Sequence, residues 1–251
     1  MAWRRVREGL RSRFAGADRE TASEATHVGT TLDELIAPEI AGDAFAEIIE
    51  EIGATPGVRE ILEIGSSTGE GSTAAWVRGA LRNPERPRLH CLEVSAERHT
   101  ALVERWREHD LVHCYHLSSV PLERFPSAAE VERFHREVPS PLNQYDLETV
   151  LGWLQQDVDY LREHDLSSAG IAQVKTQHGI EAFDAVLIDG SEFTGRAEFD
   201  DVYGARFLLL DDTGTFKNWE NAHRLRGDPA YRLMRADPAT RNGFAVFERA
   251  T

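Results

Sequence analysis

Hydrophobic residues near the start of the chain recur at helical spacing. Trp3, Val6, Leu10 and Phe14 stand three or four positions apart with arginines between them, which predicts an amphipathic helix over residues 2–14. Such a stripe either docks on a membrane surface or a partner, or packs on the protein's own body or on a second subunit. The second alternative is the more common one, so we keep a homo-oligomer as a possible state.

A second helical pattern precedes the main part of the chain. Residues 15–30 are rich in small and polar side chains, as is typical of a linker. The helical pattern then runs from Thr31 to Ile52, with an interruption at Pro38, and ends near Gly53. We therefore expect residues 1–56 to form an N-terminal helical extension.

Beyond this extension, short apolar runs alternate with helical stretches. The alternation is typical of βαβ units and a parallel sheet, and several runs are apolar almost throughout, as strands covered on both faces should be. The last two runs are joined by a loop too short for a crossover helix, which predicts an antiparallel hairpin at the sheet edge. The predicted strands are Val58–Ile64, Leu89–Val94, Val112–Leu117, Phe183–Asp189 and Arg206–Leu210, followed by the hairpin strands Tyr231–Ala236 and Gly243–Glu248.

The interval between the third and fourth strands is much longer than a crossover needs. It predicts a helical insertion over residues 120–180, with an amphipathic helix from Leu147 to Leu161 and a shorter helix bracketed by Gly170 and Gly179. Such insertions usually serve as a lid, a specificity element or an oligomer contact. The expected fold of residues 57–251 is α/β, a doubly wound and mostly parallel sheet of about seven strands with a C-terminal antiparallel hairpin.

Composition and charge narrow the class of protein. The chain has 251 residues, 41% of them hydrophobic, and a formal net charge of −15. It can therefore bury a core without disulfides, and nucleic acid is a poor candidate partner. Cys91 and Cys114 lie in apolar runs and are expected to be buried free thiols of a reduced compartment. We find no apolar run of membrane-spanning length and no secretory core, which predicts a cytoplasmic protein.

A glycine-rich turn follows the first predicted strand. Gly65, Gly69 and Gly71 stand in the spacing GxxxGxG, and glycines are needed where backbone turns sharply and a ligand approaches its amides. The spacing differs from the GxGxxG of dinucleotide folds, which speaks against a nicotinamide enzyme. Glu93 ends the second strand, where a carboxylate can accept both hydroxyls of a ribose. Alternatively, the turn is an ordinary βα connection and Glu93 is a solvated strand end.

These features together resemble the S-adenosylmethionine (SAM) site of class I methyltransferases. In that family an acidic residue precedes the glycine-rich turn and the second strand ends in an acid. The resemblance implies a Rossmann-like fold, contact of Glu63 with the methionine end of SAM, and contact of Ser118 and Ser119 with adenine. The cofactor-binding residues it implies are Glu63, Gly65, Ser66, Gly69, Gly71, Ser72, Glu93, Ser118, Ser119 and Asp189.

Three aspartates are expected at neighbouring strand ends. Asp189 ends the fourth predicted strand, and Asp211 and Asp212 follow the fifth. Because the carboxyl ends of parallel strands converge on one crevice, these side chains should lie together. Three hard oxygen donors with room for water suit Mg²⁺. Alternatively, Asp189 only orients SAM and the Asp211–Asp212 pair caps the next helix.

The aspartates resemble the metal site of metal-dependent O-methyltransferases, among them the catechol and caffeoyl-CoA enzymes. The resemblance implies that Asp189, Asp211 and Asp212 hold one divalent ion that chelates the substrate's hydroxyls. The lysine that catechol-type enzymes carry three residues after the first metal ligand is replaced here by Glu192. The base is then Glu192 or another group, or the metal alone lowers the hydroxyl pKa enough. Lys217 could replace the missing lysine, and a solvated surface lysine is the alternative.

The chain resembles bacterial class I methyltransferase-like proteins from glycan and natural-product gene neighbourhoods, and the likeness covers about residues 58–249. It is carried by the segments Ala205–Asp212 and Arg241–Phe247 and by the run IDGSEFTG. It implies a SAM-dependent, Mg²⁺-assisted O-methyltransferase acting on a hydroxyl of a small molecule or sugar. Two alternatives stay open. One is a metal-dependent enzyme of other chemistry on the same fold, such as a hydroxylase, and the other is a non-catalytic SAM-fold binding subunit.

Overall fold

The computed structural model describes residues 32–35 and 37–250. The helix predicted over residues 2–14 and the linker predicted over residues 15–30 lie outside this part of the chain. Among the described residues, no helix is long and apolar enough to cross a membrane.

Seven strands form one sheet, with bounds β1 Glu60–Ile64, β2 Arg88–Glu93, β3 Val112–His116, β4 Ala185–Ile188, β5 Phe207–Asp211, β6 Tyr231–Asp237 and β7 Phe244–Arg249. Their order is β3-β2-β1-β4-β5-β7-β6. Strands β1 to β5 are parallel, and β7 pairs antiparallel with both β5 and β6. The predicted α/β class, parallel sheet and C-terminal hairpin are confirmed. The strand order reverses between β1 and β4, where doubly wound sheets bind their ligands.

The helices of the described residues are α1 Ala44–Gly53, α2 Ser72–Arg82, α3 Ala96–Trp106, α4 Ala128–Glu137, α5 Leu147–Glu163, α6 Gly170–His178, α7 Gly195–Val202 and α8 Trp219–Gly227. Helices α1 to α3 cover one face of the sheet, and α6 to α8 cover the other. Side chains alternate between these faces along each strand, as a period of two requires. Ile61 and Leu187 thus pack towards α1 to α3, whereas Leu62 and Val186 pack towards α6 to α8.

The predicted insertion is helical. Helices α5 and α6 lie where the sequence places them, and Gly179 ends α6 in the left-handed conformation with φ 66°. The pattern of apolar residues does not predict helix α4. Ser127 and Glu130 form a capping box at its start, which is a sequence signal for a helix N-terminus. The insertion has its own apolar core, which includes Val131 and Trp153.

Of the pattern predicted as helical from Thr31 to Ile52, the described residues before Ala44 are not helical, and the second half forms a helix. Helix α1 begins at Ala44, and the Asp43 side chain caps it by accepting a hydrogen bond from the Ala46 N–H at 2.8 Å. Pro38 disfavours helix in the residue before it and removes a backbone donor. Helix α1 packs on α2 within the core of the sheet. The division of the chain at residue 57 stays a prediction.

Gly79 lies where α2 contacts α1. A Cβ at this position would lie 2.2 Å from the Glu50 carbonyl oxygen, so the two helices would have to move apart. We expect Gly79→Ala to lower the free energy of unfolding by about 1–3 kcal/mol, as overpacked substitutions do. Urea denaturation followed by circular dichroism measures this loss.

The matched control is Gly152→Ala in α5, where a Cβ would meet nothing within 4 Å. We expect this substitution to raise the free energy of unfolding by about 0.5–1 kcal/mol, because alanine restricts the unfolded chain more than glycine. Equal effects of the two substitutions would contradict the close packing of α1 on α2.

Candidate functional site

The glycine-rich turn joins the ends of β1 and β4. Gly65 has φ 87°, and a Cβ there would lie 2.2 Å from the Asp189 carbonyl oxygen. The N–H groups of Gly65 and Ser66 both donate to the Leu92 carbonyl, at 3.0 and 3.2 Å. Glycine is therefore required at residue 65, since a side chain would push the turn away from β4.

Glu93 is fixed at the end of β2 by the backbone of two loops. Its Oε2 accepts a hydrogen bond from the Ser67 N–H at 2.7 Å, and its Oε1 accepts one from the Ser95 N–H at 2.8 Å. Each carboxylate oxygen keeps a second lone pair. The carboxylate is thus held rigidly and can still accept hydrogen bonds from a ligand.

A cavity opens at the carboxyl ends of β1, β2 and β4, and we name it the first cavity. Its polar lining includes five of the residues predicted to bind the cofactor, namely Gly65, Glu93, Ser118, Ser119 and Asp189. Leu117, Phe125 and Leu161 contribute apolar surface. The insertion therefore covers part of the switch point of the sheet, through Leu161 of α5 and the loop that carries Phe125.

The other predicted cofactor residues lie on β1, on the turn or at the start of α2, and they do not line the first cavity. They are Glu63, Ser66, Gly69, Gly71 and Ser72. The Glu63 carboxylate faces α2 and accepts a hydrogen bond from the Thr73 hydroxyl at 2.5 Å, and burial raises its pKa. Gly69 packs against Trp106, whose Nε1–H donates to the Gly69 carbonyl at 3.1 Å. These residues shape the turn, and direct contact with a cofactor stays a prediction for them.

The segment over residues 32–35 closes one side of the first cavity. Leu32 lines it. The Asp33 carboxylate accepts hydrogen bonds from the Tyr160 hydroxyl at 2.7 Å and from the Ser95 hydroxyl at 2.9 Å. Arg98, which sequence reasoning missed, lines the cavity and donates to the Glu34 carbonyl at 2.7 and 2.9 Å.

Glu198 of α7 is a second residue of the first cavity that the sequence did not indicate. Its Oε1 accepts hydrogen bonds from the hydroxyls of Ser119 and Thr194, each at 2.6 Å. Its Oε2 is buried and has no hydrogen-bond partner among the described residues. Burial raises the pKa of this carboxyl. The free oxygen is available to a polar group of a ligand.

The three predicted metal ligands do come together. Asp189, Asp211 and Asp212 are buried, and their carboxylates each place an oxygen within 4.8 Å of the others. We name them the carboxylate cluster. The alternative that Asp211 and Asp212 cap the next helix is wrong, because the N-cap of α8 is Asn218.

Lys217 lies inside the carboxylate cluster. Its Nζ donates to Asp189 Oδ1 at 3.0 Å and to Asp212 Oδ2 at 2.9 Å, and its side chain is 1% exposed. The alternative of a solvated surface lysine is therefore wrong. Although burial opposes the charged form, the surrounding carboxylates raise the pKa of Lys217 well above its ordinary value. A group that holds its proton this tightly is a poor general base.

A second cation neutralises the remaining aspartate. Arg241 Nη2 donates to Asp211 Oδ1 at 2.8 Å, and Nη1 pairs with Asp43. The Asn242 amide donates to Asp212 Oδ1 at 2.8 Å. Burial, together with the charges of Asp189 and Asp212, raises the pKa of Asp211 to about 8. Each member of the carboxylate cluster thus already has a partner.

A divalent ion does not fit this arrangement while Lys217 holds its place. An ion shared by Asp189 and Asp212 would lie within about 4 Å of the ammonium, where the two positive charges would repel by about 8 kcal/mol at an effective dielectric of about 20. Asp189 Oδ2 and Asp211 Oδ2 have no hydrogen-bond partner among the described residues. They could serve an ion only if the ammonium moved away.

A second cavity lies between α4 and the starts of α7 and α8. Its aromatic lining includes Phe125, Phe134, Phe193, Phe216 and Trp219. Lys217 also borders this cavity, whereas its partner Asp189 borders the first. The ion pair of Lys217 with Asp189 therefore lies between the two cavities.

The predicted base Glu192 is buried beside this ion pair. Its Oε1 accepts the backbone N–H of Lys217 at 3.3 Å, and it is not among the lining residues of either cavity. Its role as base stays a prediction.

No protein-family model and no curated protein matches the sequence, but solved structures resemble the fold. A Corynebacterium glutamicum protein is 12% identical, with 100% of this chain and 90% of that chain covered and a TM-score of 0.50. The O-methyltransferase from Bacillus cereus in complex with SAH is 14% identical, with 98% and 90% covered and a TM-score of 0.49. The O-methyltransferase TomG from Streptomyces achromogenes in complex with SAM is 15% identical, with 85% and 83% covered and a TM-score of 0.48.

At these identities the likeness concerns the fold. The chain has a Rossmann-like fold.

Asp157 of α5 lines the first cavity and makes stability depend on pH. Its Oδ2 accepts a hydrogen bond from the Ser191 hydroxyl at 2.5 Å, and burial raises its pKa from 3.8 to about 8. Between these two values the unfolded chain releases the proton that the folded chain keeps, so this residue lowers stability as the pH rises. We expect Asp157→Asn to raise Tm more at pH 8 than at pH 5, by several degrees. Differential scanning fluorimetry at pH 5 and pH 8 measures the difference in Tm between the variant and the wild type. A Tm difference that is the same at both pH values would contradict the burial of an uncharged carboxyl at residue 157.

Proposed function

We propose that the protein is a SAM-dependent methyltransferase that transfers a methyl group to a hydroxyl group of a small molecule or sugar. The observation that carries the proposal is the Glu93 carboxylate, which two backbone amides hold in the first cavity beside the glycine turn. A carboxylate at the end of the second strand suits the two hydroxyls of a ribose.

The lining of the first cavity suits SAM better than a nucleotide with phosphates. The Glu93 carboxylate lines it, and Arg98, the cation among the described lining residues, donates to the Glu34 carbonyl. A phosphate would meet the Glu93 carboxylate without a cation whose donors are free, whereas SAM carries no phosphate. The fold and the lining of this cavity therefore support the same ligand.

Groups of the first cavity match the remaining parts of SAM. Leu117 and Phe125 offer apolar surface for adenine, and the unpartnered Glu198 Oε2 can accept its exocyclic amine. Gly65 lines the first cavity at the junction of β1 and β4, and we propose that the methionine end of SAM lies there. When bound, SAM supplies the methyl group of the transfer.

The second cavity is our candidate for the acceptor site. Its aromatic side chains can hold a ring by stacking. The Lys217 ammonium has three N–H groups, of which Asp189 and Asp212 accept two. The third can donate to an acceptor oxygen that reaches the buried ammonium, and it would then stabilise the negative charge that develops as the oxygen loses its proton. We keep Glu192 as the proposed base, which requires the acceptor hydroxyl to reach past the cavity lining to a carboxylate buried beside Lys217. We propose no step at Mg²⁺.

Loss of the Glu93 carboxylate should weaken SAM binding. We expect Glu93→Ala to raise the Kd for SAM by about 100-fold, since hydrogen bonds to a charged group contribute about 1.5–3 kcal/mol each. Isothermal titration calorimetry measures the Kd. The control is Glu97→Ala, because Glu97 is exposed on α3 and does not line the first cavity.

Wild-type protein that binds neither SAM nor S-adenosylhomocysteine (SAH) would overturn the proposed function, as would equal affinities of the Glu93→Ala and Glu97→Ala variants. Transfer from SAM labelled in the methyl group to a panel of phenols and sugars tests the acceptor class. Products methylated on carbon or nitrogen only would contradict an acceptor hydroxyl.

A further inference from the structure

We infer that the Lys217 ammonium takes the place of a divalent cation in the carboxylate cluster, so that this site functions without a metal ion. The cluster holds three carboxylates from the ends of two adjacent strands, an arrangement that suits a metal. In this protein a cation of its own chain already lies between two of them, at 3.0 Å from Asp189 and 2.9 Å from Asp212.

The backbone that carries Lys217 is anchored on several sides. The Asn218 amide donates to the carbonyls of Ile188 at 3.0 Å and Asp211 at 2.7 Å, which ties the loop to the ends of β4 and β5. A Cβ on Gly195 would lie 2.0 Å from the Lys217 carbonyl oxygen, so the start of α7 is packed against the loop. The ammonium is therefore fixed by the fold, and a metal could displace it only by breaking these contacts or swinging out the side chain.

The third carboxylate has its own permanent cation. Arg241 is 7% exposed and reaches Asp211 from the loop between β6 and β7, while Asp43 at the start of α1 holds its other end. Arginine does not lose its charge in proteins. Lys217 thus supplies one positive charge to the cluster, and Arg241 shares a second between Asp211 and Asp43.

This arrangement has a consequence for catalysis, and that part rests on the proposed function. A metal in such a site would polarise the acceptor oxygen. Lys217 borders the second cavity, and under the proposed function its ammonium takes this role. Chelators should then leave methyl transfer unchanged. The binding of metal can be tested without SAM or an acceptor, so failure of the proposed function would not affect the result.

The first test uses the wild-type protein. We expect inductively coupled plasma mass spectrometry to find no stoichiometric divalent metal in it. We also expect its Tm to be unchanged by EDTA and by millimolar Mg²⁺ or Mn²⁺. Stoichiometric metal, or a Tm that falls with EDTA and recovers with Mn²⁺, would overturn the inference. This result does not depend on whether any variant folds.

The second test removes the ammonium by Lys217→Met. We expect its Tm to fall by about 10 °C, because removing one member of a buried ion pair leaves uncompensated charges. Saturating Mn²⁺ should recover about 5–10 °C of that loss by binding the vacated position. Electron paramagnetic resonance of Mn²⁺ should show binding to this variant and none to wild type. The double variant Lys217→Met, Asp189→Asn should lose that binding.

The chain offers a matched control in its only other lysine. Lys175 donates to the Asp201 carbonyl at 2.6 Å, away from the carboxylate cluster. We expect Lys175→Met to bind no Mn²⁺. A folded Lys217→Met variant that gains no Mn²⁺ binding would refute the inference that the ammonium occupies the position of an ion. Equal Mn²⁺ binding by the Lys217→Met and Lys175→Met variants would show that the binding is not specific to the carboxylate cluster.

Discussion

The Lys217 ammonium joins the two loops that follow β4 and β5. It donates to Asp189 on one side and to Asp212 on the other, and without it the carboxylates at this edge of the sheet would repel one another. The backbone of Asp189 in turn packs directly against Gly65. The shape of the glycine turn, and with it the position of the cavity that Glu93 lines, therefore depends on a strand end that this ion pair holds in place.

The same ion pair organises the chemistry that we propose. Asp189 borders the cavity assigned to SAM, and Lys217 borders the cavity assigned to the acceptor. In our proposal, the ammonium between them donates a hydrogen bond where the acceptor oxygen develops charge, without the reorganisation that a solvent donor would need. The insertion supplies apolar surface over the switch point of the sheet.

Much of this fold follows from patterns in the sequence, because buried parallel strands are apolar runs and strand ends converge by topology. The convergence of Asp189, Asp211 and Asp212 follows from those rules. The position of Lys217 does not, since the direction of a loop side chain is set by tertiary contacts such as those of Asn218. Glu198 and Asp157 lie on helices whose placement over the cavity the sequence does not give. The direction of the Glu63 side chain could have been predicted from the sequence. Glu63 lies two residues after Ile61 on β1, so its side chain points to the same face of the sheet, and Ile61 packs towards α1 to α3.

The role of Lys217 is tested most directly by a crystal structure of the protein with SAH, grown in Mn²⁺ and measured at the manganese absorption edge. We expect the ribose of SAH on Glu93, the Lys217 ammonium between Asp189 and Asp212, and no anomalous peak among the three aspartates. An anomalous peak bound by Asp189, Asp211 and Asp212, with the Lys217 side chain turned away from them, would show that the ammonium does not replace a metal ion.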